Sequence, residues 1–174
     1  PARAAGRARV DLSGVPRPAA AAERATLAGA LGSLLSRGRP GGYAAVLAYV
    51  DPEDGALASC LERLRVAVAA RTGLATTLGY GPRYLHSTGQ LHKGGPDAGL
   101  FIEVVPDDGA VLPIPGKPCD FETLKQAQAL GDYRSLRRRN RRVLRLRYLG
   151  SAREAAQALL SALRARAPRD RSRR

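Results

Sequence analysis

The sequence lacks methionine and tryptophan altogether, and its 174 residues contain only two cysteines and two histidines. Cys60 and Cys119 are too few to form a metal cluster or a disulfide framework. Long apolar runs are also missing: no stretch approaches the roughly 18 residues of a membrane span, and no signal-peptide core follows the amino terminus. We therefore expect a soluble, cytoplasmic protein with no membrane partner. Its 44% hydrophobic residues are enough for a packed core.

Acidic residues become scarce towards the end of the chain. Residues 133–174 contain 15 arginines and two acids, whereas residues 1–132 contain 14 basic and 13 acidic side chains. An arginine stripe such as 134–147 can follow the phosphates of a nucleic acid, which makes a basic nucleic-acid-binding α/β module the alternative function. Only Tyr133 and Tyr148 stand beside this stripe to stack on bases, and charged runs usually form solvated surface. We therefore expect an exposed strand face and helix end rather than a nucleic-acid site.

Hydrophobic periodicity predicts that strands and helices alternate along the chain. Apolar runs predict buried strands at 43–50, 74–78 and 100–105, and alternating apolar and basic residues predict another at 142–148. Leucines at helical spacing predict helices within 20–36 and 57–68. This order is typical of an α/β layer fold with a largely parallel sheet.

Two further helices have recognisable ends. Asp120 is placed to cap a helix over 121–130, and Gly131 is expected to end it. Ser151 and Glu154 have the spacing of a capping box, which predicts that the last helix begins there.

The longest break between predicted elements, residues 79–98, holds both histidines and one of only three lysines. A structureless stretch of this length in a compact domain usually has a function. It directly follows a predicted strand, and ligands of parallel sheets bind beyond the carboxyl ends of strands. Donors suited to a phosphate or a sugar hydroxyl are present at Ser87, Thr88, Gly89, Gln90 and Lys93. Together with a histidine, they indicate acid–base chemistry on a phosphorylated polyhydroxy compound.

Other interpretations of this segment remain open. A loop histidine is often structural, and His86 and His92 lack a third ligand at a spacing typical of a metal site. The segment also lacks the pattern of a nucleotide phosphate-binding loop, and GYGPRY at 79–84 is not a dinucleotide fingerprint. Nucleotide hydrolysis is therefore disfavoured, and we expect no metal.

Three segments of the sequence resemble a known family. They are ATTLGYGPRYLHSTGQLHKGGPDAGLFIEV at 75–104, LPIPG at 112–116 and FETLKQAQALGD at 121–132. Together they are similar to the carboxyl-terminal part of bacterial phosphoglucose isomerase (glucose-6-phosphate isomerase). The modules fused behind transaldolase in bifunctional transaldolase/phosphoglucose isomerase proteins are especially similar. The resemblance extends from about residue 43 to residue 149.

The resemblance implies a sugar isomerase (SIS) domain, a flavodoxin-like three-layer α/β/α sandwich. Enzymes of this family interconvert glucose 6-phosphate and fructose 6-phosphate through a cis-enediol and use no cofactor. In the family, a histidine helps to open the sugar ring and a glutamate moves the proton between two carbons. A late lysine steadies the ring oxygen or the enediolate.

Carried over to this chain, the resemblance assigns catalytic roles to particular side chains. Residues 88–90 match the family's loop before the ring-opening histidine, which indicates His92, displaced by one residue, and leaves His86 as a rival. Lys125 matches the late lysine. The catalytic glutamate has no counterpart, because Glu103 lies inside an apolar strand and is a poor substitute. We therefore expect the isolated chain to be inactive.

These features predict a domain organisation. We expect residues 1–19 to be a linker or partial element, 20–163 to be the sugar isomerase domain, and 164–174 to be a disordered basic tail. Because the chain begins at Pro1 rather than at methionine, we expect it to be part of a longer protein. The expected partners are the sugar phosphate, an upstream sugar isomerase or transaldolase domain, and a second copy in a homodimer.

Overall fold

The computed structural model describes residues 8–11, 27–107, 109 and 111–165. The strands are β1 (Ala8–Asp11), β2 (Tyr43–Ala48), β3 (Ala75–Tyr80), β4 (Gly99–Asp107) and β5 (Arg142–Leu149). The α-helices are α1 (Leu27–Leu35), α2 (Gly55–Thr72), α3 (Gly89–Gly94), α4 (Phe121–Arg138) and α5 (Ala152–Arg164), and a 3-10 turn spans Arg83–His86. The predicted linker and basic tail fall mostly outside the described residues.

The strands form one sheet in the order β1-β5-β4-β2-β3. The four strands β2 to β5 are parallel, and β1 pairs antiparallel with β5 at one edge. The strands predicted from apolar runs and alternation are confirmed, with ends shifted by a few residues. The expected largely parallel sheet is likewise confirmed.

Helices cover both faces of the sheet. On the first face, α1, α2 and α5 pack against strand residues such as Val46, Ile102 and Leu146. On the second face, α4 and the 3-10 turn pack against residues such as Leu47 and Phe101. The fold is therefore the expected three-layer α/β/α sandwich.

The helix ends follow from local chemistry. The Asp54 side chain accepts hydrogen bonds from two backbone N–H groups at the start of α2, and Gly73 ends that helix in the left-handed conformation. The predicted caps are also confirmed: Asp120 accepts from the Thr123 N–H, and Ser151 and Glu154 form the capping box of α5. These caps fix the first turns of three helices at the carboxyl ends of the strands.

The prediction that Gly131 ends α4 was wrong, because the helix continues to Arg138. An interior glycine costs about 1 kcal/mol relative to alanine. That cost is smaller than the gain from burying Ala129, Tyr133 and Leu136 against the sheet. Tertiary packing therefore overrides the local stop signal.

The sequence predicted a structureless stretch at 79–98, and this prediction was wrong. The 3-10 turn and α3 lie within it, and Tyr84 and His92 are both buried against the second face of the sheet. These two side chains anchor a segment whose glycines and prolines hide any periodic pattern. It acts as part of the α layer.

The arginine stripe is only partly the exposed surface that we expected. Arg141, Arg142 and Arg145 are buried. Arg142 pairs with Asp97 at 2.9 Å, and Arg145 Nε lies 3.0 Å from a carboxylate oxygen of Glu103, which is fully buried. These ion pairs hold the guanidinium groups inside the fold, so they are unavailable to a nucleic acid.

Candidate functional site

A cavity of about 600 Å³ opens at the carboxyl ends of the strands, between β2 and β4. These neighbouring strands continue in opposite directions: β2 leads into α2 on the first face, and β4 leads through a loop into α4 on the second face. Such a switch point leaves a crevice where open α/β sheets bind their ligands. Its polar and charged lining residues are Tyr49, Asp51, Asp54, Glu122, Lys125, Ser151 and Arg153.

Lys125 is fixed in the wall of this cavity. Its Nζ atom lies 2.6 Å from Glu122 Oε2 and donates a hydrogen bond of 3.1 Å to the carbonyl oxygen of Pro106, at the end of β4. The side chain keeps 26% of its surface exposed. Because Asp120 caps α4 just before these residues, the first turn of that helix holds the ammonium group at the cavity.

A second ion pair, Arg153 with Asp54, joins the starts of α5 and α2. Arg153 Nη2 donates to Asp54 Oδ1 at 3.0 Å. This bond, followed by the backbone N–H groups of Leu57 and Ala56, lowers the pKa of Asp54 below its usual value. Asp54 therefore remains ionised at neutral pH and keeps Arg153 at the cavity rim.

The charged groups of the cavity do not form a cationic pocket. Asp51, Asp54 and Glu122 are opposed by Lys125 and Arg153, so the formal balance is one negative charge. Carboxylates accept hydrogen bonds and the two cations donate them, an arrangement that suits a ligand rich in hydroxyl groups. A phosphate group in the same space would face uncompensated carboxylate.

The structure places His92 away from this cavity, in the layer between the sheet and α4. Its side chain is 2% exposed, a hydrogen bond of 3.0 Å joins its Nδ1 atom to the Tyr43 hydroxyl, and its ring contacts Phe101 edge-on. Burial is the main cause that lowers the pKa of His92, so the ring is neutral at neutral pH. His86 is exposed on the 3-10 turn and is absent from the cavity lining.

The predicted substrate-binding residues lie on the same segment as the two histidines, away from the cavity that Lys125 lines. Lys93 Nζ lies 2.5 Å from Asp132 Oδ1, and the same carboxylate also accepts a hydrogen bond from Tyr84. Asp132 is seven residues beyond Lys125 on α4, which separates the two along the helix by about 10 Å. Ser87, Thr88, Gly89 and Gln90 lie on the same segment, and none of them lines the cavity.

Sequence reasoning missed most of the cavity. Asp51 and Asp54 lie within six residues of the end of β2, and Ser151 and Arg153 lie within four residues of the end of β5, so all four lie near the carboxyl ends of parallel strands. That position was the available signal, but it needed the strand order to show which ends meet. Lys125 was identified through the resemblance alone.

Metal sites, disulfides and membrane-spanning helices are absent from the described part of the chain. No three His, Cys, Asp or Glu side chains there are grouped so that they could hold a metal ion. Both cysteines are free. Among the described helices, none is long and apolar enough to cross a membrane.

Comparisons with known proteins establish the fold. No protein-family model and no curated protein matches the sequence. Among solved structures, the chain is similar to the crystal structure of the hypothetical protein TT0462 from Thermus thermophilus, with a TM-score of 0.63 and 20% identity. The match covers 79% of this chain but only 38% of that protein, so this chain spans well under half of its length. At this level of identity, the likeness shows the fold alone.

Proposed function

We propose that this chain is the carboxyl-terminal sugar isomerase domain of an enzyme that interconverts glucose 6-phosphate and fructose 6-phosphate. The position of Lys125 carries the proposal: the residue that matches the family's late lysine lines the cavity at the switch point of the sheet. The α/β/α fold is compatible with this function but supports many others.

Lys125 has the chemistry that an enolisation needs. When a proton leaves the carbon next to a carbonyl, negative charge develops on oxygen, and a fixed ammonium group stabilises that charge. The bonds from Lys125 to Glu122 and to the Pro106 carbonyl hold the ammonium in place before substrate arrives. These two bonds leave one of the three N–H groups of the ammonium to donate to the oxygen on which charge develops.

The acidic balance of the cavity favours the polyol part of the substrate. Sugar hydroxyls can donate to Asp51 and accept from Arg153, whereas a phosphate would face a net negative charge, because Lys125 and Arg153 are already paired with carboxylates. We therefore assign the phosphate to protein outside the described residues. An upstream sugar isomerase domain or a second subunit can provide it.

In the family the role of proton-transfer base belongs to a glutamate with no counterpart here, so we assign that base to a joined domain rather than to Asp51, which also lines the cavity. Glu122 is paired with Lys125, and Asp54 is paired with Arg153 and caps α2. Glu103 is fully buried beside Arg145. A general base must reach the proton that it abstracts, and none of these carboxylates is poised to do so. The ring-opening roles of His86 and His92 remain predictions from the resemblance, because neither side chain lines the cavity.

Ligand binding by the isolated chain tests the proposal. We expect glucose 6-phosphate to bind in titration calorimetry and to shift NMR signals around Lys125, whereas inorganic phosphate should leave those signals unchanged. Lys125→Ala should weaken binding about tenfold, the effect of losing one charge-assisted hydrogen bond. Lys117→Ala is the matched control, because Lys117 is exposed in the loop before α4 and does not line the cavity. Equal binding by both variants would refute the role of Lys125.

A coupled isomerase assay separates the two parts of the proposal. We expect no turnover by residues 1–174 alone and turnover once an upstream sugar isomerase domain is joined to them. Turnover by the isolated chain would support the isomerase function but contradict the inference that the proton-transfer base lies outside this chain. Failure of both forms to react would contradict the function itself.

A further inference from the structure

The amino edge of the sheet, opposite the candidate cavity, is strongly basic. In this fold the helices run antiparallel to the parallel strands, so α2, α4 and α5 end at this edge, and the loop from α1 to β2 crosses it. The edge consists of residues 36–42, 70–75, 94–98, 137–142 and 161–165. These ranges contain nine arginines and a single acidic residue, Asp97.

Neither the acid nor the helix dipoles neutralise this charge. Asp97 is already paired with Arg141 and Arg142. Each helix carboxyl terminus contributes about half a negative charge, so α1, α2, α4 and α5, which all end at this edge, account for roughly two charges. About six positive charges remain, and they are carried mainly by exposed arginines: Arg39, Arg71, Arg138, Arg139 and Arg164.

A cavity of about 700 Å³ lies at the same edge. Two segments line it, 38–42 and 72–75, so its walls are mostly glycine-rich backbone with Arg39 among them. Gly41 and Gly73 have φ values of 77° and 69°, and nothing lies within 4 Å of the position that a Cβ atom would take on either. Glycine at these positions keeps the cavity open to a ligand, because it has no side chain to fill the space. The volume is within the range of small-molecule sites.

Arginines surround this cavity on the side of the first face. Arg71 precedes the lining residue Thr72, and its Nη1 atom donates a hydrogen bond of 2.9 Å to the Leu163 carbonyl, which places it next to Arg164. In the loop that forms the opposite wall, Arg37 has a buried Nη1 atom with no hydrogen-bond acceptor among the described residues. Although Arg37 does not itself line the cavity, this nitrogen is left to donate to a water or an anion beside it.

We propose that this amino-edge cavity binds a small ligand with two or more phosphate groups. Arginine binds phosphate with paired, charge-assisted hydrogen bonds, and the surplus of charge exceeds what one phosphate needs. The lining includes no aromatic ring on which a base could stack, so the phosphates rather than a base would be recognised. The site lies at the opposite edge from Lys125 and does not depend on the proposed isomerase function.

Titration calorimetry of the full 174-residue chain with inorganic tripolyphosphate tests this proposal. We expect saturable binding at about 50 mM salt that weakens steeply as salt is added. The double variant Arg39→Glu/Arg71→Glu should bind at least about tenfold more weakly. Arg63→Glu/Arg83→Glu is the control with the same net charge, because both of these arginines are exposed away from the amino edge. We expect it to retain wild-type affinity within about twofold, by the screening of distant charges.

Further measurements keep the test decisive. Circular dichroism checks the fold of each variant, and Arg39→Glu alone serves if the loss of the Arg71–Leu163 hydrogen bond unfolds the double variant. Absence of tripolyphosphate binding, or equal weakening in both double variants, would overturn the proposal. Binding of a short DNA duplex that tripolyphosphate does not compete away would also overturn it, in favour of a nucleic-acid surface.

Discussion

The ion pair between Glu103 and Arg145 is expected to be one of the most sensitive points of the fold. Glu103 is fully buried on β4, Arg145 is 10% exposed on β5, and their side chains are 3.0 Å apart. The two residues are register partners, so both side chains point to the face covered by α4. The Arg145 guanidinium also lies 5.6 Å from the centre of the Tyr133 ring.

Arg145→Met is the informative change, because it removes the cation but keeps much of the side-chain volume. Loss of one partner of a buried pair typically costs about 3–5 kcal/mol, since the remaining charge has lost its compensation. Loss of the contact with Tyr133 adds about 1 kcal/mol. A domain of this size is stable by only about 5–15 kcal/mol, so the variant should be close to unfolding.

Urea unfolding followed by circular dichroism measures this loss. The double variant Glu103→Leu/Arg145→Met should recover most of the stability, because it removes both charges and leaves apolar side chains of similar size. A loss below about 1 kcal/mol for Arg145→Met would refute the reasoning, as that is the value of an exposed pair. A double variant no more stable than the single one would show that packing, rather than the unpaired charge, sets the cost.

Two further predictions concern α4 and the buried histidine. Gly131→Ala should stabilise the protein by about 1 kcal/mol in urea unfolding, because the position is helical and nothing lies within 4 Å of the added methyl group. A destabilised variant would contradict the helical account of α4. The pKa of His92 is lowered in the folded chain, so the unfolded chain takes up the proton first and stability should fall as the pH drops below about 6.5. His92→Phe should reduce this dependence and His86→Ala should not, and the same acid sensitivity in both variants would assign it to other groups.

Strands β2 and β4 were predictable because burial on both faces gives them a pattern that is independent of context. The run at 43–50 has no polar side chain except that of tyrosine, and it forms the inner strand β2 between β4 and β3. Helix caps at Asp120 and Ser151 were equally predictable, since a cap depends on neighbours within one turn. Gly131 was misjudged because its role depends on contacts between α4 and the sheet.

The candidate site was less accessible to sequence reasoning for a related reason. A cavity at a switch point joins residues from five separated segments, and only the strand order brings Asp51, Lys125 and Arg153 together. The buried arginines of β5 were misjudged in the same way. Their partners, Asp97 and Glu103, lie about 40 residues earlier in the chain. Alternation along a single strand also cannot show whether the face that carries the basic residues is covered by a helix.

The antiparallel edge strand fixes where the chain enters the domain. Ala8 is paired with Tyr148 near the carboxyl end of β5, and Asp11 is paired with Arg145 further towards the amino edge. Ala8 therefore lies on the side of the sheet where the Lys125 cavity opens. With strands about 4.8 Å apart, β1 lies roughly 10 Å from β4, which forms one wall of that cavity. Any domain joined ahead of Ala8 is thus tethered beside the cavity and not beside the arginine-rich edge, so a short linker suffices for it to contribute groups to that cavity.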